Sequence, residues 1–277
     1  MKTEKRWRAK KSLGQHFLVA PDIVQKIISY ARFQDSDLVL EIGPGRGALT
    51  IPLAESVGHV VAVEKDSRLT KDLQDRLVRE CIDNVTLFNE DILRWAFARM
   101  KSRTSDKFMV IGNLPYNISS PFLEKLIENR RMIKRAILMF QAEVARRLSA
   151  SPGSKTYGAM TLLTQYHASI TNLLSVSRKA FRPRPQVDSI VIEIDFDRPY
   201  PIQTPNEDFF RKIVKGAFAH RRKTIINSLK VAYPSWESGL VAQAMEECGI
   251  DPGRRAETLH MEEFLALTSA LAFIEGG

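Results

Sequence analysis

Between residues 37 and 142, short apolar runs alternate with stretches in which apolar residues recur every three or four positions. The runs predict five strands, at residues 37–42, 59–64, 84–88, 108–111 and 136–140. The stretches between them predict helices, for example over 47–57 and 66–79. Apolar strands separated by helices are typical of a parallel sheet covered on both faces. With right-handed crossovers, the pattern predicts a doubly wound α/β domain.

The pattern changes after Tyr157. A helical stretch to about residue 169 precedes two strands, at 170–177 and 189–195, which fit a hairpin-like pair at the sheet edge. Residues 197–205 contain three prolines and predict a linker. Beyond them, helical spacing recurs near 209–218, 223–232, 236–248 and 261–274. We predict an α/β domain over residues 1–199, whose first 36 residues form a basic N-terminal segment, and a small all-α domain over 206–277.

Composition excludes several classes of protein. The chain has 277 residues, 44% of them hydrophobic, and no apolar run approaches the ~20 residues of a membrane helix. The N-terminus lacks the apolar stretch of a signal peptide, so we expect a cytoplasmic protein. Cys81 and Cys248 are isolated, and the five histidines lack metal-ligand spacing, so we expect no disulfide and no metal. Without a heptad pattern or an exposed apolar stripe, a monomer is expected.

The net charge of +9 is concentrated in three places. Residues 1–12 have a net charge of +5, and residues 211–230 carry seven basic side chains and no acidic one. A third cluster surrounds two prolines and consists of Arg178, Lys179, Arg182 and Arg184. Clusters with so few acids favour contact with the phosphates of a nucleic acid, although acidic proteins or membrane headgroups would also fit.

A glycine-rich turn, Glu41-Ile-Gly-Pro-Gly-Arg-Gly47, joins the first predicted strand, at residues 37–42, to the helix that follows it. Glycines there let the backbone approach a ligand closely. Glu64 ends the next strand, where a carboxylate can accept hydrogen bonds from both hydroxyls of a ribose. This spacing is equally typical of an NAD site and of another adenosine cofactor. Asp91 follows the third strand and predicts either a helix N-cap or an acceptor for the adenine amine.

The fourth strand ends in Asn113-Leu-Pro-Tyr116. A carbonyl-bearing side chain, a rigid turn and an aromatic ring together can hold an aromatic amine by its NH₂ group and its flat face. Asn113 Oδ1 and the Leu114 carbonyl would each accept an N6–H of adenine, and Tyr116 would stack on the ring. Because the N6 lone pair is delocalised, such orientation would make it a better nucleophile.

Together these residues resemble the S-adenosylmethionine-dependent N6-adenine methyltransferases, in particular the small-subunit ribosomal RNA adenine dimethylases of the KsgA type. The resemblance spans nearly the whole chain. Four segments carry it: Leu13-Gly-Gln-His-Phe-Leu18, Asn113-Leu-Pro-Tyr-Asn-Ile-Ser119, Phe181-Arg-Pro-Arg-Pro-Gln-Val-Asp-Ser189 and the basic helix His220–Leu229. One departure is His16, where the family more often has Asn.

The resemblance implies a Rossmann-like class I methyltransferase that dimethylates two adjacent adenosines near the 3′ end of 16S ribosomal RNA during small-subunit assembly. It implies no metal and the methyl donor S-adenosylmethionine, bound by His16, Leu18, Gly43, Gly45, Glu64, Asp91 and Asn113. Phe181 would hold the extruded base on the face opposite Tyr116, unless it is simply packed under the two prolines. Ribosomal RNA phosphates would bind Arg221, Arg222 and Lys223.

Three alternatives remain. A large-subunit methylase of the macrolide-resistance type shares the chemistry, but such enzymes more often have Asn-Ile-Pro-Tyr. An assembly factor whose methylation is dispensable shares the basic clusters. An NAD-dependent oxidoreductase explains only the glycine turn.

Overall fold

The computed structural model describes residues 14–103 and 106–275. The basic segment at residues 1–12 lies outside the described residues. The chain divides into two compact units, Met1–Ala145 with Ile170–Asp197, and Arg146–Ser169 with Arg198–Gly277.

The first unit is an α/β unit. Its strands are β1 (Phe17–Leu18), β2 (Leu38–Ile42), β3 (His59–Glu64), β4 (Val85–Asn89), β5 (Phe108–Asn113), β6 (Ile133–Gln141), β7 (Ser169–Val176), β8 (Phe181–Arg182) and β9 (Ser189–Asp195). Its helices are α1 (Pro21–Ala31), α2 (Thr50–Ala54), α3 (Ser67–Arg79), α4 (Ser119–Glu128) and the start of α5 (Ala142–Leu148).

Seven strands form one sheet in the order β4-β3-β2-β5-β6-β9-β7. The pairs among β4, β3, β2, β5 and β6 are parallel, and β9 runs antiparallel to β6. The predicted doubly wound, mostly parallel sheet is therefore confirmed. The strands at its centre are buried on both faces, as their continuous apolar sequences require.

Successive strands are added on opposite sides of the β2–β5 pair, with β3 and β4 beyond β2 and β6 beyond β5. The carboxyl ends of β2 and β5 lie side by side, with Ile42 opposite Gly112. A Cβ on Gly112 would lie 2.9 Å from the carbonyl oxygen of Ile42, so only glycine allows this close pairing. Ligands of open α/β sheets bind at such a switch point, outside the carboxyl ends of the strands. The glycine turn and the Asn113–Tyr116 loop both start there.

A separate two-stranded ribbon pairs β1 with β8. Phe17 lies opposite Arg182 and Leu18 opposite Phe181. Neither strand was predicted, because two residues are too few to show a hydrophobic period. The ribbon joins the N-terminal segment to the segment with two prolines.

The second unit is helical, with the rest of α5, then α6 (Ala159–His167), α7 (Glu207–Phe218), α8 (Ile225–Ala232), α9 (Ser238–Glu247) and α10 (Met261–Glu275). The predicted boundary differs from the observed one, because residues 146–169 pack here and not in the α/β unit. Tyr157 and Tyr166 are buried in the helical core, and the Tyr166 ring centroid lies 4.5 Å from that of Phe210. Across both described ranges, no helix is long and apolar enough to cross a membrane.

Candidate active site

Nine of the residues that the sequence analysis singled out line one cavity at the switch point. Both the glycine turn after β2 and the loop after β5 contribute to it. The nine residues are His16, Leu18, Gly43, Gly45, Glu64, Asp91, Asn113, Leu114 and Tyr116.

The glycine turn forms an open cradle. Gly43 and Gly45 have φ angles of +64° and +57°, which side chains rarely adopt. A Cβ on Gly43 would meet no atom of the described residues within 4 Å, so among them the space beside Gly43 is open to a ligand. Glu64 fixes the turn, since its carboxylate accepts from the backbone N–H of Gly45 at 3.1 Å and of Asp66 at 2.8 Å. Burial raises the pKa of Glu64.

Glu41 also lines this cavity and was not predicted as a site residue. Its side chain is 1% exposed, and Oε2 has no hydrogen-bond partner among the described residues. Burial, with a contribution from the nearby Glu64, raises the pKa of Glu41 to about 8. The sequence did contain an indication that Glu41 belongs to a functional site. It places a carboxylate among apolar residues in a strand that is expected to be buried on both faces.

Asp91 lies at the rim of the cavity with its carboxylate already engaged. It accepts from Lys65 Nζ at 2.7 Å and from the Leu93 backbone N–H at 3.0 Å. Burial acts to raise the pKa of Asp91, but the Lys65 and Leu93 hydrogen bonds outweigh it, so the pKa is lowered. Asp91 therefore caps its own turn and also lines the cavity, and its predicted role as an acceptor for the adenine amine stays a prediction.

The loop after β5 is tied to the N-terminal segment at His16. Asn113 Nδ2 donates to the His16 carbonyl oxygen at 3.0 Å, and the ring of Tyr116 stacks on the imidazole with centroids 5.5 Å apart. His16 Nδ1 lies 2.8 Å from the Pro183 carbonyl oxygen, and because a carbonyl only accepts, Nδ1 carries the proton. His16 thus connects the Asn113–Tyr116 loop to the segment with two prolines.

Phe181 is not at the surface of this cavity. Its side chain is 0% exposed and packs in the core of the α/β unit. Its backbone pairs with Leu18 in the β1–β8 ribbon. The structure packs Phe181 as the second alternative describes, and its stacking on a target base stays a prediction.

The predicted basic helix is also only partly correct. Arg221, Arg222 and Lys223 lie in the turn between α7 and α8, because Thr224 caps α8 and accepts from the Asn227 N–H. The Arg221 guanidinium donates to the Lys155 carbonyl at 2.5 Å and to Glu257 at 3.2 Å. Arg222 and Lys223 are exposed.

The sheet order, its antiparallel β9 and the glycine turn facing Asn113–Tyr116 define a Rossmann-like class I methyltransferase. An NAD-dependent oxidoreductase would not account for the Asn113–Tyr116 loop that lines this cavity, so that alternative is not favoured. The chain belongs to the ribosomal RNA adenine dimethylase family, whose model matches residues 6–272.

Individual relatives agree with this assignment. A ribosomal RNA small subunit methyltransferase A from Desulforapulum autotrophicum is 46% identical over 268 residues, 97% of this chain and 94% of that protein. A dimethyladenosine transferase from Plasmodium falciparum has a similar crystal structure, with a TM-score of 0.78 and 29% identity over 92% of this chain and 97% of that one. The 23S rRNA methyltransferase ErmE matches with a TM-score of 0.70 and 25% identity, over 92% of this chain and 99% of that chain.

Proposed function

We propose that this protein transfers methyl groups from S-adenosylmethionine to N6 of two adjacent adenosines near the 3′ end of 16S ribosomal RNA, two methyls to each base. One observation carries the proposal. The Asn113 amide donates to the His16 carbonyl, and Asn113 lines the same cavity as Tyr116 and the glycine turn. We further propose that it acts as a cytoplasmic monomer on an assembly intermediate of the small subunit.

The cavity fits the methyl donor. The space beside Gly43 is a cradle that a Cβ would fill, and the buried Oε2 of Glu41 has no partner within the described ranges. An ammonium group beside Glu41 would lower the raised pKa of this carboxyl group and so ionise it. Glu64 is suited to ribose hydroxyls and Asp91 to an adenine amine, with His16 and Leu18 as further walls. When bound, S-adenosylmethionine would supply a methyl group already activated on a sulfonium, so the protein needs neither a nucleophile of its own nor a metal.

The protein's task is to prepare the acceptor nitrogen. The Asn113 amide nitrogen is committed to the His16 carbonyl, which leaves Oδ1 to accept one N6–H, and the Leu114 carbonyl accepts the other. Both acceptors localise the nitrogen lone pair towards the methyl group. Orientation of reacting groups can contribute on the order of 7–11 kcal/mol, more than the ~1–3 kcal/mol of one stacked base.

Tyr116 provides the stacking surface. It is half-buried, and its hydroxyl lies 3.3 Å from Ser189 Oγ. Burial raises the pKa of Tyr116, so the phenol stays protonated at neutral pH and acts as a ring and not as a base. The target adenine must leave its own stack to reach this ring, which loops and ends of folded RNA permit at least cost.

The α/β domain would carry the chemistry, and the helical domain would bind ribosomal RNA through Arg222 and Lys223, with Arg221 supporting their turn. Small-subunit RNA is favoured over large-subunit RNA because the match to a small-subunit methyltransferase, at 46% identity, exceeds the 25% match to ErmE.

Transfer of tritium from labelled S-adenosylmethionine tests the proposal directly. Small and large subunits from a strain without the modification would be incubated separately with the protein. We expect label in adenosines of the small subunit only. Label in the large subunit would support the macrolide-resistance type, and tight binding to the small subunit without label would support an assembly factor.

A further inference from the structure

The cavity at the switch point, proposed above to hold the methyl donor, is lined by an arginine with which no described residue forms an ion pair. Lysine and arginine contribute two side chains to the described lining, Arg46 and Lys65. Lys65 Nζ binds the Asp91 carboxylate at 2.7 Å. Arg46 is exposed, and its guanidinium has no hydrogen-bond or ion-pair partner within the described ranges. Arg46 is therefore the basic side chain that remains available to a ligand.

Backbone contacts on both sides of Arg46 hold the turn that carries it. The Gly45 N–H donates to the Glu64 carboxylate at 3.1 Å, and the Arg46 carbonyl accepts from Arg76 Nη1 at 3.2 Å. Neither contact uses the Arg46 side chain, so replacement of this side chain leaves the turn in place. Because the backbone is already ordered, binding through the guanidinium orders little more than one side chain.

The described lining is otherwise rich in acidic groups, because Glu41, Glu64, Glu90 and Asp91 contribute to it. The amino-acid end of S-adenosylmethionine carries an ammonium and a carboxylate. Acidic side chains suit the ammonium, but they repel the carboxylate and do not replace the water that it loses on binding. Glu41 lies on β2 and Arg46 in the turn after it, so this short stretch supplies one group of each sign. A cation offsets the cost of burying the carboxylate, and Arg46 provides one.

We propose that Arg46 binds the carboxylate of the methyl donor and so selects donors whose amino-acid end is intact. The inference rests on the proposed function and adds to it a residue that sets donor specificity. A guanidinium presents two parallel N–H groups to a carboxylate, so it matches this group in geometry as well as in charge. Adenosine derivatives without the carboxylate fill the same nucleoside-binding part of the cavity but gain nothing from Arg46, and the protein therefore binds them less tightly.

The test compares two donors that differ only in the carboxylate, S-adenosylmethionine and its decarboxylated form. Calorimetry measures the affinity of each donor for the full-length protein and for the variants Arg46→Gln, Arg46→Lys and Lys65→Gln. Lys65→Gln is the matched control, since it removes the same charge from the lining of the same cavity. The readout is the ratio of the two affinities, because damage to the cavity or to the fold lowers both affinities alike.

The wild-type protein should bind S-adenosylmethionine about tenfold more tightly than the decarboxylated form, the factor that about 1.4 kcal/mol from a charged hydrogen bond produces. In Arg46→Gln the ratio should fall to about one, because only the affinity for S-adenosylmethionine is lost. Arg46→Lys should keep part of the preference, since it retains the charge but not the planar fork. Lys65→Gln should keep a ratio near that of the wild type, because its ammonium is engaged by Asp91.

Three results would overturn the inference: equal affinities of the wild-type protein for the two donors, an unchanged ratio in Arg46→Gln, or an equal fall of the ratio in Lys65→Gln. Arg46 also lines a neighbouring cavity, with Gln141 and Arg182. A role confined to that cavity would leave both donor affinities of Arg46→Gln at wild-type values, which is the second of these results.

Failure of the inference can be told apart from failure of the proposed function. If the wild-type protein labels small subunits but binds the two donors equally well, the inference is wrong and the function stands. If the wild-type protein prefers the intact donor through Arg46 but labels no RNA, the carboxylate site stands and the proposed function is wrong.

Discussion

The side-chain amide nitrogen of Asn113 donates to the backbone carbonyl of His16 across 3.0 Å. Because a carbonyl can only accept, this bond decides which end of the amide is free. Oδ1 has no hydrogen-bond partner among residues 14–103 and 106–275, and Asn113 lines the cavity. A residue far away in sequence thus decides which amide atom of Asn113 is left to accept a hydrogen bond.

Asn113→Ala should lower the rate of methyl transfer by about 10²-fold or more, as removal of one fixed polar group in an active site commonly does. Because Asn113 also lines the donor cavity, the affinity for S-adenosylmethionine is measured separately and should fall much less than the rate. The measurement is single-turnover methyl transfer beside calorimetric binding of the donor. Asn113→Asp is the companion variant: it keeps an acceptor but places oxygen against the His16 carbonyl, so it should also be slow. Wild-type rates in both variants would contradict the assigned role.

Gly43→Ala should weaken binding of the methyl donor by at least about tenfold, equivalent to about 1.4 kcal/mol, because the new methyl group would occupy the cradle. Gly249→Ala is a matched control, since its φ is +69° against +64° at Gly43, and a Cβ at either position meets no atom within 4 Å. Both variants should lose about 1–2 kcal/mol of stability from the left-handed backbone. Equal donor affinity in the two variants would show that the cradle is not part of the site.

The buried Glu41 should make folding stability depend on pH. Its pKa is about 8 in the folded protein and 4.5 in the reference state, so the folded protein holds an extra proton between these values. The free energy of unfolding therefore falls as pH rises from about 4.5 to about 8. Relative to wild type, Glu41→Gln should gain stability across this window, by up to about 5 kcal/mol at about 1.4 kcal/mol per pH unit. Urea unfolding at the two ends of the window measures this, and parallel pH dependence in the two proteins would contradict it.

Arg222→Gln with Lys223→Gln should flatten the salt dependence of binding to small subunits, by about 0.7–0.9 in log–log slope per lost phosphate contact. Arg221→Gln should instead lower the stability of the helical domain, because its guanidinium holds the Lys155 carbonyl and Glu257. Filter binding over a salt series, with thermal unfolding of each variant, separates the two effects. A full loss of slope in Arg221→Gln at unchanged stability would reverse these assignments.

The sheet and its ligand-binding edge could be predicted because both depend on local patterns. Apolar runs mark the buried strands, and glycines mark the turn after β2. Asn113 ends a buried strand and Tyr116 follows three residues later, so both were expected at the carboxyl edge of the sheet, where ligands bind.

Features that depend on contacts between distant segments could not be predicted. Phe181 lies in a two-residue strand that pairs with Leu18, and so short a strand shows no hydrophobic period in the sequence. Residues 146–169 join the helical unit through packing of Tyr157 and Tyr166, which any apolar surface could have accepted. The ion pair between Arg221 and Glu257 forms only in a fold that brings these two distant residues together.

The β1–β8 ribbon has an evolutionary consequence. Leu18 and Phe181 face one another across it, and Leu18 lines the cavity at the switch point while Phe181 directly precedes the segment with two prolines. A change of side-chain volume at one position alters the packing of the other. Within this family, substitutions at the two positions should therefore be correlated, and a larger residue at one should accompany a smaller residue at the other.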